Sequence, residues 1–404
     1  MGMGTHRIKL PRDNVWFLRV LSIVSLGLMA SLASAKASAD KFARIRPVVQ
    51  NMIDTKMIAG AVVMVSHQNQ TVYFEAQGQR DVEERLPMTK DTLFRIYSMS
   101  KPVTTVAAMM LAEQGHFQLD DAVEKYLTEF KGVKVYKDGK AVAAKNTMTI
   151  RQLMTHTAGL TYGYFGKTAV DAMYKKDHPH WRRNNQEMSQ KLASYPLLYE
   201  PGAVWHYSLA TDVLGALVER ISGQSLAAFF EQNIFKPLKM KDTAFYVPKD
   251  KVSRFASVYG KALKLSDKYN KSNYTKKGRL QSAGGGLVST ASDYMKFCQM
   301  LLNEGAYPGG QILKKETVQA MTKNQLPPPM KTYEHFGFGL GFLIQIQDWG
   351  SYGHLDEYSW DGIASTHFWI SPKDQLIVIA LSQRMPFSTK LKKRLKPVIY
   401  DALK

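Results

Sequence analysis

The spacing of apolar residues changes along the chain and outlines its elements. Val20 to Leu32 is one short, mostly apolar run without a charged residue. From Lys41 to Met57 apolar residues recur at helical spacing. Ile58 to Ser66 then reads as a buried strand that turns at His67-Gln-Asn-Gln70 into a second strand over Thr71 to Ala76. The far end mirrors this hairpin: Thr366 to Ile370 turns at Ser371-Pro-Lys-Asp374 into Leu376 to Leu381, and a closing helix carries Leu391, Leu395, Val398 and Ala402. Strands at both ends with helices between them predict an α/β (α+β) fold with one antiparallel sheet built from the two termini, over residues 40–119 and 278–404. Residues 120–277 are mostly helix and loop, with polar stretches at Lys134 to Lys145 and His178 to Glu187. They predict an inserted, mainly helical lobe, with a cleft between the two parts.

Composition adds a location to this outline. With 45% apolar and 11% aromatic residues the chain can build a large core, which excludes extensive disorder. Arg7, Lys9, Arg12 and Arg19 precede the Val20 to Leu32 run, and Ala33-Ser34-Ala35 follows it, so residues 1–35 read as a secretory signal. Ala37-Ser38-Ala39 is a second cleavage point, and retention of the run as an anchor is the alternative. The expected location is therefore periplasmic or secreted, with no membrane span after signal cleavage. Cys298 is the sole cysteine, which excludes an internal disulfide. It sits among Met295, Met300 and Leu301 at packing positions.

The formal charge is +20 and falls to about +17 without the signal. Basic clusters at Arg182-Arg183, Lys276-Lys277-Arg279 and Lys390 to Lys396 accompany no nucleic-acid motif, so they read as solvated faces suited to an anionic envelope surface.

The chemistry is concentrated at Ser98-Met-Ser-Lys101. Val103, Val106, Ala107, Met110 and Leu111 predict a helix from Lys101 to Gln114, with Pro102 in its first turn and Gly115 ending it. Residues three apart share a helix face, so the Lys101 ammonium can reach the Ser98 hydroxyl near a helix N-terminus that favours negative charge. A helix N-cap would explain the serine but not the lysine. The same spacing at Ser38-Ala-Asp-Lys41 lies in a small-residue stretch beside the cleavage sites and carries no such context. A serine nucleophile also needs a proton acceptor, and Tyr207 is the candidate, on a loop leading into the apolar helix that runs to Arg220.

These segments, taken together, resemble the serine β-lactamase and penicillin-binding-protein-like family in its class C β-lactamase branch. The resemblance rests on Phe94-Arg-Ile to Lys101-Pro102, Leu153-Met-Thr-His156-Thr-Ala-Gly159-Leu160, Tyr199-Glu-Pro-Gly202, Tyr207-Ser208, Ser282-Ala-Gly-Gly-Gly286-Leu-Val-Ser-Thr290 and Trp360-Asp-Gly362. It implies that Ser98 is acylated, that Lys101 activates it, and that Tyr207 is general base and later acid. Free tyrosine and lysine titrate at about 10, so each would need the other to act at neutral pH. The resemblance further implies an oxyanion hole formed by the Ser98 and Ile363 N–H groups, with Trp360 and Gly362 lining it. Two departures bear on the substrate. Tyr207-Ser208-Leu209 replaces Tyr-x-Asn, and Trp360-Asp361-Gly362 replaces Lys-Thr-Gly, as in family VIII carboxylesterases. Asp361 stands where that group would have glycine.

Other signals lead elsewhere or nowhere. There is no Gly-x-Ser-x-Gly elbow to recruit a histidine. His156 reads as a structural hydrogen-bonding residue, His206 as a neighbour of Tyr207 that points away, and His354 as a rival for the position given to Trp360. His178-Pro-His180 lacks further ligands at metal spacing, and Gly284-Gly-Gly286 lacks a P-loop lysine, so neither metal nor cofactor is expected. Trp205, Trp360, Phe338 and Tyr164 are candidates to line an acyl pocket. The expected function is cleavage of short-chain acyl esters, of a small-molecule ester or β-lactam-like substrate. The alternatives are a β-lactamase or D-alanyl-D-alanine peptidase and, in another class, a non-catalytic envelope module with the same fold.

Overall fold

In a computed structural model, residues 1–2 and 41–404 are described. Nearly all of the expected signal, and Ser38 of the second Ser-x-x-Lys, lie outside them.

The two terminal hairpins meet as the hydrophobic pattern predicts. Strands β1 (Gly60–His67), β2 (Gln70–Asp81) and β3 (Leu86–Pro87) come from the amino end. Strands β4 (Phe336–Phe338), β5 (Leu343–Gln345), β6 (Tyr358–Gly362), β7 (Thr366–Ser371) and β8 (Leu376–Ser382) come from the carboxyl end. They form one sheet in the order β4-β5-β6-β7-β8-β1-β2-β3. Its halves are joined antiparallel along β1 and β8, from Ala61 opposite Ser382 to His67 opposite Leu376. Residues 61–65 and 376–381 of these strands read as unbroken apolar runs because both faces of the sheet are covered. Ala61, Val63, Val65, Val378 and Ala380 pack outward, whereas Val62, Met64, Ile377, Ile379 and Leu381 pack inward.

Five helices set the layers: α1 (Ile45–Asp54), α2 (Ser100–Glu113), α3 (Ala210–Ser222), α4 (Ala291–Leu302) and α5 (Lys390–Ala402). The outer layer is α1 and α5, which bury Ile45, Val49 and Met52, and Leu391, Leu395 and Ile399, against the outward residues. On the inner face α4 packs on β8 and β1, and α2 packs on α3. The apolar spacing of α2 suggested one buried stripe. The structure buries it almost all round, from Ser100 through Met109, as a central helix. Each Val, Leu or Met so enclosed contributes roughly 1.5–3 kcal/mol.

Between residues 120 and 277 the chain forms helices that include Ile150–Met154, Ala169–Asp177, Asn185–Ala193 and α3, together with the hairpin Lys134–Lys137 to Lys140–Ala143. One hydrophobic cluster continues from the inner sheet face through α2 into these helices. Residues 255–267 return to the sheet side. The fully buried Arg95 donates to Ala256 O (2.6 Å), pairs with Asp267 (2.9 Å) and lies over the Phe255 ring. Cys298 is wholly buried on α4 among Met295, Met300 and Leu301, and burial pushes its thiol well up.

Candidate active site

The short strand Phe94–Arg95, paired with Val288–Ser289, delivers the chain to Tyr97, whose φ of +44° is left-handed. For a non-glycine residue this costs about 1–2 kcal/mol. The Tyr97 ring meets the edge of Tyr274, and this packing holds the turn. Ser98 follows on a single 3-10 turn, Tyr97–Met99, and α2 begins at Ser100. Ser98 thus precedes the regular helix by two residues, yet the three-residue spacing still brings Lys101 Nζ to 3.2 Å from Ser98 Oγ.

Lys101 is 1% exposed and donates three hydrogen bonds: to Ser98 Oγ, to Tyr162 Oη (3.0 Å) and to Gly284 O (2.6 Å). An ammonium has three protons, and all are placed. Its charge sits 4.8 Å from the centre of the Tyr207 ring, and the Tyr207 hydroxyl is 2.7 Å from Ser98 Oγ. Tyr207 lies just before α3, on a segment tied to the Leu153 to Leu160 run by the His206 N–H donating to His156 O. The three sequence-predicted residues therefore share one site.

The Gly284-Gly-Gly286 segment is a tight backbone approach. A side chain on Gly284 would place Cβ 2.5 Å from Asp212 Oδ2 and 3.3 Å from Lys101 Nζ. Asp212, on the first turn of α3, accepts from Ser282 Oγ (2.7 Å) and the Gly284 N–H (3.0 Å) through Oδ1. Its Oδ2 is buried with no hydrogen-bond partner among the described residues. This carboxylate holds the loop whose carbonyl receives Lys101, and it sets a negative charge near that ammonium. Sequence reasoning missed both Asp212 and Tyr162. Asp212 stands five residues after Tyr207, and Tyr162 lies two residues beyond the Leu153 to Leu160 run, so position relative to the motifs was the available signal. Burial, then Tyr207 and Asp212, push the Tyr162 hydroxyl well up, which keeps it a neutral acceptor for Lys101.

Strand β6 closes the other side. Trp360 faces inward, 5.2 Å from Tyr207 and 5.3 Å from Phe338 between ring centres, and Trp205 adjoins Phe338. Gly362 touches the turn that carries Ser98: a Cβ there would lie 2.4 Å from Ile96 O and 2.2 Å from Thr366 Oγ1. Ile363, itself exposed, follows in the turn to β7. Of the four aromatic candidates, Trp205, Trp360 and Phe338 join Tyr207 in one wall. Tyr164 instead is half-exposed at the rim against His180, and Phe165 lies nearer, 6.3 Å from Tyr207. Asp361 points to the opposite face of the sheet, towards His367 and Lys392. It therefore does not shape the pocket.

The histidines serve structure here. His156 is fully buried, with Nδ1 3.3 Å from Ser208 Oγ and its ring against Tyr207 and Phe338. Burial, then Lys101 and His206, hold it well below the usual imidazole range, so it is neutral. His206 contacts Thr161 and Tyr199, and His354 pairs with Asp374 beside Tyr400 on α5. Among the described residues no cluster of three metal-ligating side chains occurs, and no helix is long and apolar enough to cross a membrane.

The sequence profile of the family described as Beta-lactamase matches residues 45–398. An uncharacterized protein of Mycobacterium tuberculosis is 32% identical over 84% of this chain and 89% of its own length. The Burkholderia gladioli esterase EstB is 30% identical over 81% of this chain and 86% of its own. The structure is similar to that of EstCE1, described as a hydrolase with promiscuous acyltransferase activity, with a TM-score of 0.78 and 26% identity over 91% of this chain and all of that one. The chain belongs to the Beta-lactamase family, a family of serine hydrolases.

Proposed function

We propose that this protein cleaves carboxylic esters of small molecules through an acyl-enzyme on Ser98. One observation carries the reading: Ser98 Oγ lies within hydrogen-bond distance of both Lys101 Nζ and the Tyr207 hydroxyl. Tyr207, acting as the phenolate beside the Lys101 ammonium, takes the Ser98 proton as Oγ attacks the ester carbonyl, then passes it to the departing alkoxide. Water enters, gives its proton to Tyr207 and releases the acid, and that proton returns to Ser98. The Lys101 charge offsets the negative charge that moves between Tyr207 and Ser98. The carbonyl oxygen, as it becomes anionic, turns towards the Ser98 and Ile363 N–H groups, which the contact of Gly362 with Ile96 keeps close.

Two positions favour an ester over a β-lactam. Leu209, buried at the start of α3, offers no amide to hold a substrate amide, and Trp360 offers an apolar ring where a carboxylate-binding cation would stand. The similarity to EstB agrees with this. A β-lactamase or peptidase would use the same serine on an amide. Parallel assay with p-nitrophenyl butyrate and nitrocefin separates the two, and strong nitrocefin turnover without ester turnover rejects the first.

Acyl transfer to an alcohol is a second reading, favoured by the aromatic wall of Trp205, Tyr207, Phe338 and Trp360, which disfavours water, and by the description of EstCE1. Partition of the butyryl group between water and an added alcohol measures it. Export through residues 1–35 belongs to the same proposal and rests on their charged and apolar pattern. Amino-terminal sequencing of the protein from an exporting host tests it.

A further inference from the structure

Strand β6 has two faces with different neighbours. Trp360 and Gly362 look inward to Tyr207 and to the backbone before Ser98. Ser359 and Asp361 look outward under α5. Asp361 lies opposite His367 in the register of β6 and β7, and its Oδ1 receives both His367 Nδ1 (2.9 Å) and Lys392 Nζ (3.3 Å). Lys392 also donates to Ser359 Oγ (3.3 Å). His367 is fully buried and Lys392 is 12% exposed. Four charged or polar side chains from two strands and a helix thus meet around Asp361, the residue between Trp360 and Gly362. The next residue, Ile363, is free of regular pairing and sits in the turn.

We propose that Asp361, through Lys392 and His367, is a positioning residue that fixes the Gly362–Ile363 turn where the Ile363 N–H meets the acyl oxygen. The inference rests on the ester-cleaving reading above and extends it to the reverse face of the sheet. Gly362 already touches Ile96 O, so the turn has no slack on its inner side. The charged clamp supplies the matching restraint on its outer side. An oxyanion donor must be placed to a few tenths of an ångström, because its value falls steeply with distance and angle. Loosening the clamp therefore weakens transition-state binding while leaving the aromatic wall, which binds the substrate, in place.

The experiment compares the full-length protein with D361N, K392M and the D361N/K392M double variant. It is run well below each variant's unfolding temperature, with folding confirmed by circular dichroism. Turnover of p-nitrophenyl butyrate and the rate of phosphonylation by a fluorophosphonate are both measured, since the phosphoryl oxygen uses the same donors. The expected result is a loss of about tenfold in kcat and in phosphonylation for each single variant, KM within about twofold, and a double variant no worse than the poorer single. The inference is overturned if folded D361N keeps kcat within about twofold of wild type, if the loss appears in KM alone, or if the two losses multiply. A wild-type protein that neither turns over ester nor labels at Ser98 removes the ester-cleaving reading and this inference with it. A wild type that does both while the variants match it removes the inference alone.

Discussion

The Tyr207 hydroxyl stands 2.7 Å from Ser98 Oγ across a sequence separation of 109 residues, and Lys101 charges the space between them. No element near Ser98 in sequence supplies a second proton carrier at this distance. Y207F should therefore lower kcat by about 10²–10⁴-fold with little change in stability, because the ring keeps its packing against Trp360 and Tyr162. Steady-state kinetics and thermal unfolding check both halves.

Lys101 fills a buried place with three acceptors around it. K101M should abolish turnover and also cost about 1–3 kcal/mol, since Gly284 O and Tyr162 Oη lose their donor away from water. The effect on stability, read by urea denaturation, separates Lys101 from Tyr207.

Asp212 acts on the same ammonium through the Gly284 loop. D212N keeps an acceptor for the Gly284 N–H but removes the charge. The expected outcome is a fall of about tenfold or more in kcat with KM nearly unchanged. Unchanged kcat in a folded variant would mean that the carboxylate only ties Ser282 and Gly284.

Gly362 tests the fit between strand and nucleophile turn. Any Cβ there meets Ile96 O and Thr366 Oγ1 at less than 2.5 Å, so G362A must push β6 away from the Ser98 turn. Activity should fall by about 100-fold, and stability by roughly 1–3 kcal/mol from overpacking.

Asp361 predicts a pH dependence. Burial alone would raise its carboxyl, but Lys392 and His367 outweigh burial and hold it at about 2, below the ordinary aspartate value of 3.8. Its folded value is depressed, so the stabilisation is full above about 4 and is lost as pH falls towards 2. The shift corresponds to roughly 2 kcal/mol. D361N should be less stable than wild type by about that amount at pH 7, and the gap should close between pH 4 and 2 in denaturant titrations.

Much of this architecture is written locally. The runs Ile58 to Val65 and Leu376 to Leu381 carry no polar side chain because each strand is covered on both faces, and that pattern needs no tertiary knowledge. Ser98 and Lys101 are readable for the same reason: a three-residue spacing at a helix entry is local geometry. Tyr162, Asp212 and Lys392 are not, since each reaches the site through contacts with residues 31 to 70 positions away. Asp361 shows the opposite limit. Its place in the Trp360-Asp-Gly362 run suggested the pocket, but strand alternation turns it to the outer face, where α5 supplies its partner.

The central claim is a covalent acyl group on Ser98, and mass spectrometry of protein quenched in acid during turnover of p-nitrophenyl butyrate tests it most directly. The account predicts a butyryl adduct on the peptide carrying Ser98, absent in S98A together with all turnover. An S98A protein that still hydrolyses the ester, or turnover with no adduct on that peptide, would contradict it.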